Sequence, residues 1–310
     1  MSSPAISACD GMKVGISRTQ FAIRGDAGSS PWLFAREAER LGFDSIWAGE
    51  HVVSPATSED GHSYHAEGVP TMPSSIVRLA GIAAATTRIG IGTAILILPQ
   101  HNPFMLAKQL ATLDADSGGR LSVGIGMGWN RAEMAVVGGD FEHRGAQTME
   151  AIEVLKRLWT AAEVSFEGRF YSFPPLVSAP GPAQQPHPPL LLGMNGKEAL
   201  TRVVHHADGW LPSIYKPGEP HGEGVDRIAR GRAEIDRLCR ETGRDPAKVS
   251  ITAIVADTPE EPLDRKLIER YLAAGANRVV LLQSRDAGRL FGSEEQAVGW
   301  LEQVADRTFG

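Results

Sequence analysis

The 310-residue sequence has little of what marks several classes of protein, beginning with cysteine. Its two cysteines, Cys9 and Cys239, lie far apart, so the sequence predicts neither a disulfide framework nor a cysteine-based metal site. No apolar run approaches the roughly 20 residues of a membrane span, and residues 1–11 lack the apolar centre of a secretory signal. We therefore expect a cytoplasmic protein with no membrane partner and a short flexible tail at residues 1–11.

The sequence also lacks a surplus of basic residues. Lys and Arg number 31 against 37 Asp and Glu, and the chain carries a net charge of −6 without any basic run. Nucleic acid, whose binding depends on clustered cations, is therefore not an expected partner. The chain does contain 42% hydrophobic residues, enough for one large core, and we predict a single domain over residues 1–310.

Short apolar or β-branched runs alternate with segments of helical periodicity. Eight strands, each followed by a helix, predict a (β/α)8 TIM barrel of the α/β class. A doubly wound open sheet is the alternative, but it would place a glycine-rich turn after the first strand, where this chain has Arg18-Thr19-Gln20-Phe21. The predicted strands are 13–17, 44–48, a run within 88–98, 121–125, 190–193, 209–211, 248–255 and 278–282, and the predicted helices are 31–41, 74–85, 103–117, 148–161, 197–206, 224–242, 262–274 and 294–305.

Two insertions interrupt this pattern, one after the second strand and one after the fourth. The first is a polar loop that contains Asp60, His62 and His65; because the spacing fixes no third and fourth ligand, we predict no metal site there. In the second, residues 163–173 alternate and turn at Glu167-Gly168, which predicts a β-hairpin. Residues 174–189 are rich in proline and are predicted to form an ordered, extended surface segment.

Three glycines, Gly124, Gly126 and Gly128, occupy alternate positions at the end of the fourth strand. A nucleotide-binding Gly-x-Gly-x-x-Gly turn would need its third glycine at position 129, which is Trp129. In a barrel this is instead a strand end at the catalytic face. Glycines there predict a close approach of the backbone to a flat ring or a phosphate.

The second strand ends in Glu50-His51, an acidic side chain next to an imidazole. Imidazole exchanges protons near neutral pH, so a pair at this face predicts a general acid or base. The alternative is that the pair only fixes the loop.

A glycine turn, Gly193-Met194-Asn195-Gly196, directly precedes the fifth helix. Free N–H groups at a helix N-terminus predict a phosphate site. An ordinary tight turn, which also favours glycine, explains the sequence equally well.

Several motifs in a fixed order resemble one family. They are Leu-Gly-Phe-Asp-Ser-Ile-Trp at 41–47 followed by Glu50-His51, Thr-Arg-Ile-Gly-Ile-Gly-Thr at 87–93, Gly-Met-Gly-Trp at 126–129, and Phe-Glu-Gly at 166–168. The chain is similar in these motifs to luciferase-like monooxygenases, specifically to the branch of oxidoreductases that use the deazaflavin coenzyme F420. The resemblance runs from about residue 12 to about residue 212.

The resemblance implies a (β/α)8 barrel, a homodimer, and a flavin-type ring held in the barrel mouth. It implies a non-prolyl cis peptide at Ala94–Ile95 behind the ring, and His51 near its reactive face with Glu50 orienting the imidazole. It further implies that the phosphate lies at the glycine turn. The cofactor-binding residues implied are Thr93, Ala94, Ile95, Gly126, Met127, Gly128, Gly193, Met194, Asn195 and Gly196.

One departure from the family pattern bears on the substrate. Sugar-phosphate dehydrogenases of this superfamily carry a catalytic Glu where this chain has Trp129, and a Trp where it has Pro55. A pocket lined by Phe21, Trp129 and Trp210 favours a small apolar or aromatic substrate instead. The function expected is therefore hydride transfer between coenzyme F420 and such a substrate.

Two alternatives stay open. An FMN-dependent monooxygenase would use reduced flavin and oxygen in the same pocket. A barrel that binds flavin without turnover would be expected to lose the acid–base pair, whereas Glu50-His51 is retained.

Overall fold

The computed structural model describes residues 11–17, 31–53, 73–196, 198–214, 220–258, 261–283 and 293–310. Its described strands form one closed parallel barrel and one separate hairpin. The strands are β1 (Val14–Ser17), β2 (Ser45–Ala48), β3 (Gly90–Ile97), β4 (Leu121–Gly126), β5 (Val164–Glu167), β6 (Ser172–Leu176), β7 (Leu190–Leu192), β8 (Gly209–Trp210), β9 (Ser213–Ile214), β10 (Ser250–Asp257) and β11 (Arg278–Gln283).

Helices follow the barrel strands along the chain. Those described are α1 (Pro31–Arg40), α2 (Ser75–Ala85), α3 (Pro103–Asp116), α4 (Arg131–Val136), α5 (Arg144–Thr160), α6 (Ala199–His206), α7 (His221–Thr242), α8 (Arg265–Ala273) and α9 (Glu294–Phe309). Short 3-10 turns at Leu98–Gln100 and Pro246–Lys248 complete the described elements.

Parallel pairing closes the sheet in the order β11-β1-β2-β3-β4-β7-β8-β10, and β10 pairs back onto β11. The short strands β8 and β9 both pair with β10 and share one position in the wall. The described strands thus occupy eight positions, and the predicted (β/α)8 barrel is confirmed.

Local sequence signals explain where individual helices begin and end. The Asn102 side chain caps α3 by accepting hydrogen bonds from the N–H groups of Phe104 and Met105, and Pro103 fits the first helical position. Gly243 ends α7 with a φ of 69°, a left-handed conformation that glycine adopts without a steric penalty.

Two apolar layers stabilise the barrel. Outward side chains of the strands pack against the helices in a large core that includes Ile16, Ile46 and Leu121. A smaller cluster inside the barrel is built around the fully buried Trp47. A Cβ on Gly92 would collide with the Trp47 ring, so glycine at this inward position makes room for the indole.

The predicted elements are present, but several ends differ from prediction by a few residues, as where α7 begins at His221 rather than at 224 and α9 ends at Phe309 rather than at 305. Helix α5 begins at Arg144 rather than at 148, and α4 was not predicted because six residues are too short for a periodic pattern. The hairpin turn extends from 168 to 171, not only Glu167-Gly168, because the Glu150 carboxylate accepts hydrogen bonds from the N–H groups of Arg169, Phe170 and Tyr171.

The proline-rich segment 174–189 begins inside the hairpin, because β6 extends to Leu176, and it contains cis peptide bonds at Ala179–Pro180 and Gln185–Pro186. Gln184 ties it to the barrel, since its side chain donates to Asp114 Oδ1 at 2.6 Å and to the Leu121 carbonyl at 2.7 Å. None of the helices described is long and apolar enough to cross a membrane.

Candidate active site

The carboxyl ends of β2, β3, β4 and β7 meet at one mouth of the barrel, because all four strands are parallel neighbours. This is the face where barrel enzymes place their chemistry. The sequence-predicted residues that follow these strands therefore share one site, with the exceptions given below.

His51 is held by a buried carboxylate that the sequence analysis missed. Its Nδ1 lies 2.8 Å from Glu133 Oε2, and Glu133 Oε1 accepts a hydrogen bond from the Val52 N–H at 2.7 Å. Glu133 is only 1% exposed. A carboxylate oxygen accepts hydrogen bonds, so this contact suits an imidazole that donates through Nδ1–H.

Glu50 does not orient His51, contrary to expectation. Its Oε1 lies 2.7 Å from His101 Nε2 and accepts from the Ile97 N–H at 3.2 Å, while its Oε2 accepts from the Ser75 hydroxyl. Adjacent residues after a strand point in different directions, so Glu50 and His51 bond to different partners. Glu50 thus fixes the end of β3 to the start of α2.

The end of β3 bulges at the mouth. The Ala94–Ile95 peptide bond is cis, as the resemblance implied, and the pairing with β4 shifts register between Thr93 and Leu96. Ala94 and Ile95 are partly exposed between buried neighbours. Thr93, a predicted cofactor residue, is fully buried and its hydroxyl donates to the Gly124 carbonyl at 2.8 Å, so its side chain serves the barrel wall instead.

Three glycines at the mouth, two in β4 and one directly after β7, lie against protein atoms of the β3 bulge. A Cβ on Gly126 would collide with the Ile95 side chain, and one on Gly193 would lie 2.6 Å from Ile95 Cγ2. A Cβ on Gly124 would collide with the Thr93 carbonyl. The glycines therefore allow the β3 bulge to seat against β4 and β7.

The glycine turn after β7 lies open at the same mouth. Gly196 has a φ of 105° with no atom within 4 Å of its Cβ direction, and Asn195 is exposed. Met194 is buried, and its carbonyl accepts a hydrogen bond from Trp210 Nε1. Arg202, one turn into α6, lies 3.7 Å through Nη1 from the Met127 sulfur.

Of the three aromatic residues predicted to line the substrate pocket, only Trp129 is described at the mouth. Trp129 is 44% exposed, and its ring meets the His51 ring edge-on at 6.0 Å between centroids. Trp210 is wrong as a pocket residue: it points outward, 5% exposed, where the absence of a side chain on Gly231 of α7 makes room for its ring. Phe21 lies outside the described residues.

Glu133 was missed because its sequence context has another explanation. Asn130-Arg-Ala-Glu133 is the spacing of a helix capping box, and Asn130 Oδ1 indeed accepts from the Glu133 N–H at 3.1 Å. The sequence signal that could have identified Glu133 is its position soon after the fourth strand, since that strand end faces the mouth.

Metal ligation has no support in the part of the chain that the structure describes, where no group of three or more His, Cys, Asp or Glu side chains could hold an ion. Asp60, His62 and His65 of the loop after β2 lie outside the described residues.

A (β/α)8 barrel with a histidine–carboxylate pair at its C-terminal mouth has the architecture of a barrel enzyme. Comparison with known families identifies which: the model of the luciferase-like monooxygenase family matches residues 33–308, so the chain belongs to that family and is an oxidoreductase.

Relatives within the family use two kinds of cofactor by name. The Uncharacterized protein Rv0953c of Mycobacterium tuberculosis (strain ATCC 25618 / H37Rv) is 35% identical, covering 90% of this chain and 94% of the relative. An F420-dependent glucose-6-phosphate dehydrogenase of Kineococcus radiotolerans is 29% identical, covering 74% and 72%. An FMNH(2)-dependent dimethylsulfone monooxygenase of Pseudomonas putida is also 29% identical, covering 73% and 58%.

The fold is also similar to that of a solved enzyme structure. A solved F420-dependent secondary alcohol dehydrogenase, in complex with an F420-acetone adduct, superimposes with a TM-score of 0.72. The match covers 94% of this chain and 98% of that structure at 18% sequence identity, so it supports the fold alone.

Proposed function

We propose that the protein is a coenzyme F420-dependent oxidoreductase that transfers a hydride between the coenzyme and a small apolar or aromatic organic substrate. The observation that carries the proposal is the His51–Glu133 pair, which holds an imidazole in a fixed position at the barrel mouth. The His51 imidazole is the proposed general acid or base for the substrate, and Glu133 is the residue that positions it.

The residues at the mouth fit a flat ring with a phosphate tail. Ala94 and Ile95 form a partly exposed apolar platform on the β3 bulge, and the Ile95 side chain lies against Gly126 and Gly193. The open turn at Asn195-Gly196, close to the N-terminus of α6, suits a phosphate because N–H groups at a helix start are directed toward it. When bound, F420 carries a hydride, whereas FMN supports both hydride and oxygen chemistry.

The apolar substrate is supported by Trp129. Its indole is 44% exposed beside His51, so a substrate within reach of the imidazole would contact an aromatic surface. Aromatic side chains contribute large apolar contact areas. The residue at position 129 is therefore suited to an apolar substrate rather than to a charged one.

An FMN-dependent monooxygenase is the second candidate. It is favoured by the Pseudomonas putida relative, whose identity equals that of the F420-dependent dehydrogenase. Both candidates use the same platform and imidazole, so the cofactor decides between them.

Parallel fluorescence titrations with F420 and FMN test the proposal. We expect F420 to bind at least about tenfold more tightly, a difference of roughly 1.4 kcal/mol. Tighter FMN binding together with oxygen consumption by the reduced complex would replace the proposal with the monooxygenase. A protein that binds either cofactor but turns over no alcohol, aldehyde or aromatic substrate with it would support the non-catalytic barrel.

A further inference from the structure

The opposite end of the barrel contains a polar cavity of about 330 Å³. It lies at the amino ends of the strands, far from the candidate active site, and Lys13, Arg120 and Arg278 contribute to its lining. Among the described lining residues there is no Asp or Glu. A concave surface with an excess of positive charge attracts anions, whereas barrel interiors are ordinarily filled with branched apolar side chains.

Strand register brings three donor side chains to one level of the inner wall. Thr252 of β10 pairs with Arg278 of β11, and the Val279 N–H donates to the carbonyl of Lys13 at the start of β1. Neighbouring strands lie about 4.8 Å apart, so the three residues form a row.

Successive side chains of a strand point alternately to the outside and the inside of the barrel, and the three residues of this row point inside. On β10, Ile251 and Ala253 belong to the outer core, whereas Ile254 belongs to the cluster inside the barrel. Thr252 has the same parity as Ile254 and therefore faces the interior. It is 2% exposed, and its hydroxyl makes no hydrogen bond with any residue that the structure describes. A hydroxyl that lines a polar cavity and has no described partner is open to a hydrogen bond with a ligand.

The basic residues of the cavity differ in how much of their bonding capacity is used. Arg120 is saturated, because all five of its guanidinium N–H groups donate to neighbouring oxygens, among them those of Ser117, Thr86 and Ala83. Its role is structural. Arg278 donates through Nε to Asp44 Oδ2 at 2.5 Å and lies over the Trp47 ring, so only its Nε–H is used by a described acceptor.

Lys13 is the remaining cation of the cavity. It forms no ion pair or hydrogen bond with the described part of the chain, and its side chain is exposed at the cavity rim. Its ammonium group is therefore available to an anion in the cavity, whereas the Arg120 guanidinium is not.

We propose that this cavity is a second ligand site, which binds the carboxylate or phosphate group of a small anionic metabolite. Lys13 supplies an ammonium, Arg278 the free edge of a fixed guanidinium, and Thr252 a hydroxyl. Ser122, which also lines the cavity, supplies a further hydroxyl. Charge-assisted hydrogen bonds to such an oxyanion are the strong class of hydrogen bonds.

Isothermal titration calorimetry with inorganic phosphate and, separately, with succinate tests the site at fixed ionic strength. We expect Lys13→Met to weaken binding about tenfold and Thr252→Val about threefold to tenfold. Because neither side chain bonds to the described chain, both variants remove ligand contacts without breaking internal ones. Lys266→Met and Thr112→Val, exposed on α8 and α3, are matched controls that should bind like wild type.

The two probes distinguish the ligand groups. Tighter binding of phosphate assigns the site to phosphate esters, and tighter binding of succinate assigns it to carboxylates. The glycine turn at the other mouth is the proposed phosphate site of the cofactor, so only the binding that the Lys13→Met/Thr252→Val double variant loses belongs to this cavity. Equal affinity in the double variant and wild type, or no binding of either probe at millimolar concentration, would overturn the proposal whatever the outcome of the cofactor titrations.

Discussion

At the scale of single residues, the assignment of the proton-transfer group can be tested on His51 itself. His51→Ala removes the imidazole while leaving the Ala94–Ile95 platform and the glycine turn in place. We expect turnover to fall by about 10²- to 10⁴-fold, the usual contribution of a general acid or base. The dissociation constant for the cofactor should stay within about twofold, measured by fluorescence titration. Undiminished turnover would remove His51 from the reaction.

Glu133 is testable through its dependence on His51. Glu133→Gln leaves one oxygen for two N–H donors, so either the His51 Nδ1–H or the Val52 N–H loses its acceptor. We expect kcat to fall at least about tenfold, with KM and cofactor affinity little changed. In a His51→Ala background the same change should have no further effect on turnover, because a positioning residue acts only through the group it positions. A full additional loss in that background would show an independent role.

The location of the site was predictable from the sequence, but its internal contacts were not. The strand-end rule placed His51, the platform and the glycine turn at one mouth. It could not show that Glu50 points to His101, or that the partner of His51 lies 82 residues away in the chain. The outward direction of Trp210 depends on strand parity, which a two-residue strand does not reveal.

At the scale of secondary-structure elements, α1 is fastened to the start of β3 by one carboxylate. Glu39 Oε1 accepts hydrogen bonds from the N–H groups of Thr87, Arg88 and Ile89 at 2.9, 2.6 and 2.9 Å. Burial acts to raise the pKa of Glu39, but the hydrogen bonds from these backbone groups outweigh it and hold the pKa below its ordinary value of 4.5. The charged form is thus favoured in the folded protein.

Glu39→Gln should therefore lower the free energy of unfolding at neutral pH, by about 1 kcal/mol after allowance for solvent screening of a partly exposed group. A carboxyl whose pKa is depressed by folding stabilises above its unfolded value, and the stabilisation is lost as the pH falls through the folded value. The difference between wild type and variant, measured by urea unfolding, should be present at pH 7 and be lost as the pH falls through the lowered pKa of Glu39, below its ordinary value of 4.5. Glu153→Gln, on the exposed face of α5, is the control. A difference independent of pH would contradict the charge-based explanation.

Elements with strong periodic signals were predictable, and those fixed by distant contacts were not. The strand and helix order followed from apolar runs and their spacing. Helix α4 is too short for a period, and the hairpin turn is set by Glu150, a side chain on α5 that accepts three backbone N–H groups of the turn. A pattern confined to neighbouring residues contains no information on such contacts.

At the scale of the whole molecule, the last helix is joined to the barrel wall by an ion pair whose carboxylate is buried and whose arginine is partly exposed. Arg307 of α9 donates to Asp257 Oδ2 at the end of β10 and to the Leu263 carbonyl at 3.0 Å. Asp257 is 6% exposed, and its other oxygen accepts from the Leu263 N–H at 2.9 Å. The C-terminal helix, the loop before α8 and the wall of the barrel therefore share one polar contact.

Arg307→Met would leave the Asp257 carboxylate buried without its cation. We expect the free energy of unfolding to fall by roughly 2 kcal/mol or more, measured by denaturant unfolding. Arg237→Met, which removes an exposed ion pair network on α7, should change it by less than about 1 kcal/mol. The double variant Asp257→Asn/Arg307→Met should recover part of the loss, because Asn is neutral and still accepts from the Leu263 N–H. A double variant less stable than Arg307→Met would show that the loss comes from packing of the arginine stem rather than from an unpaired charge.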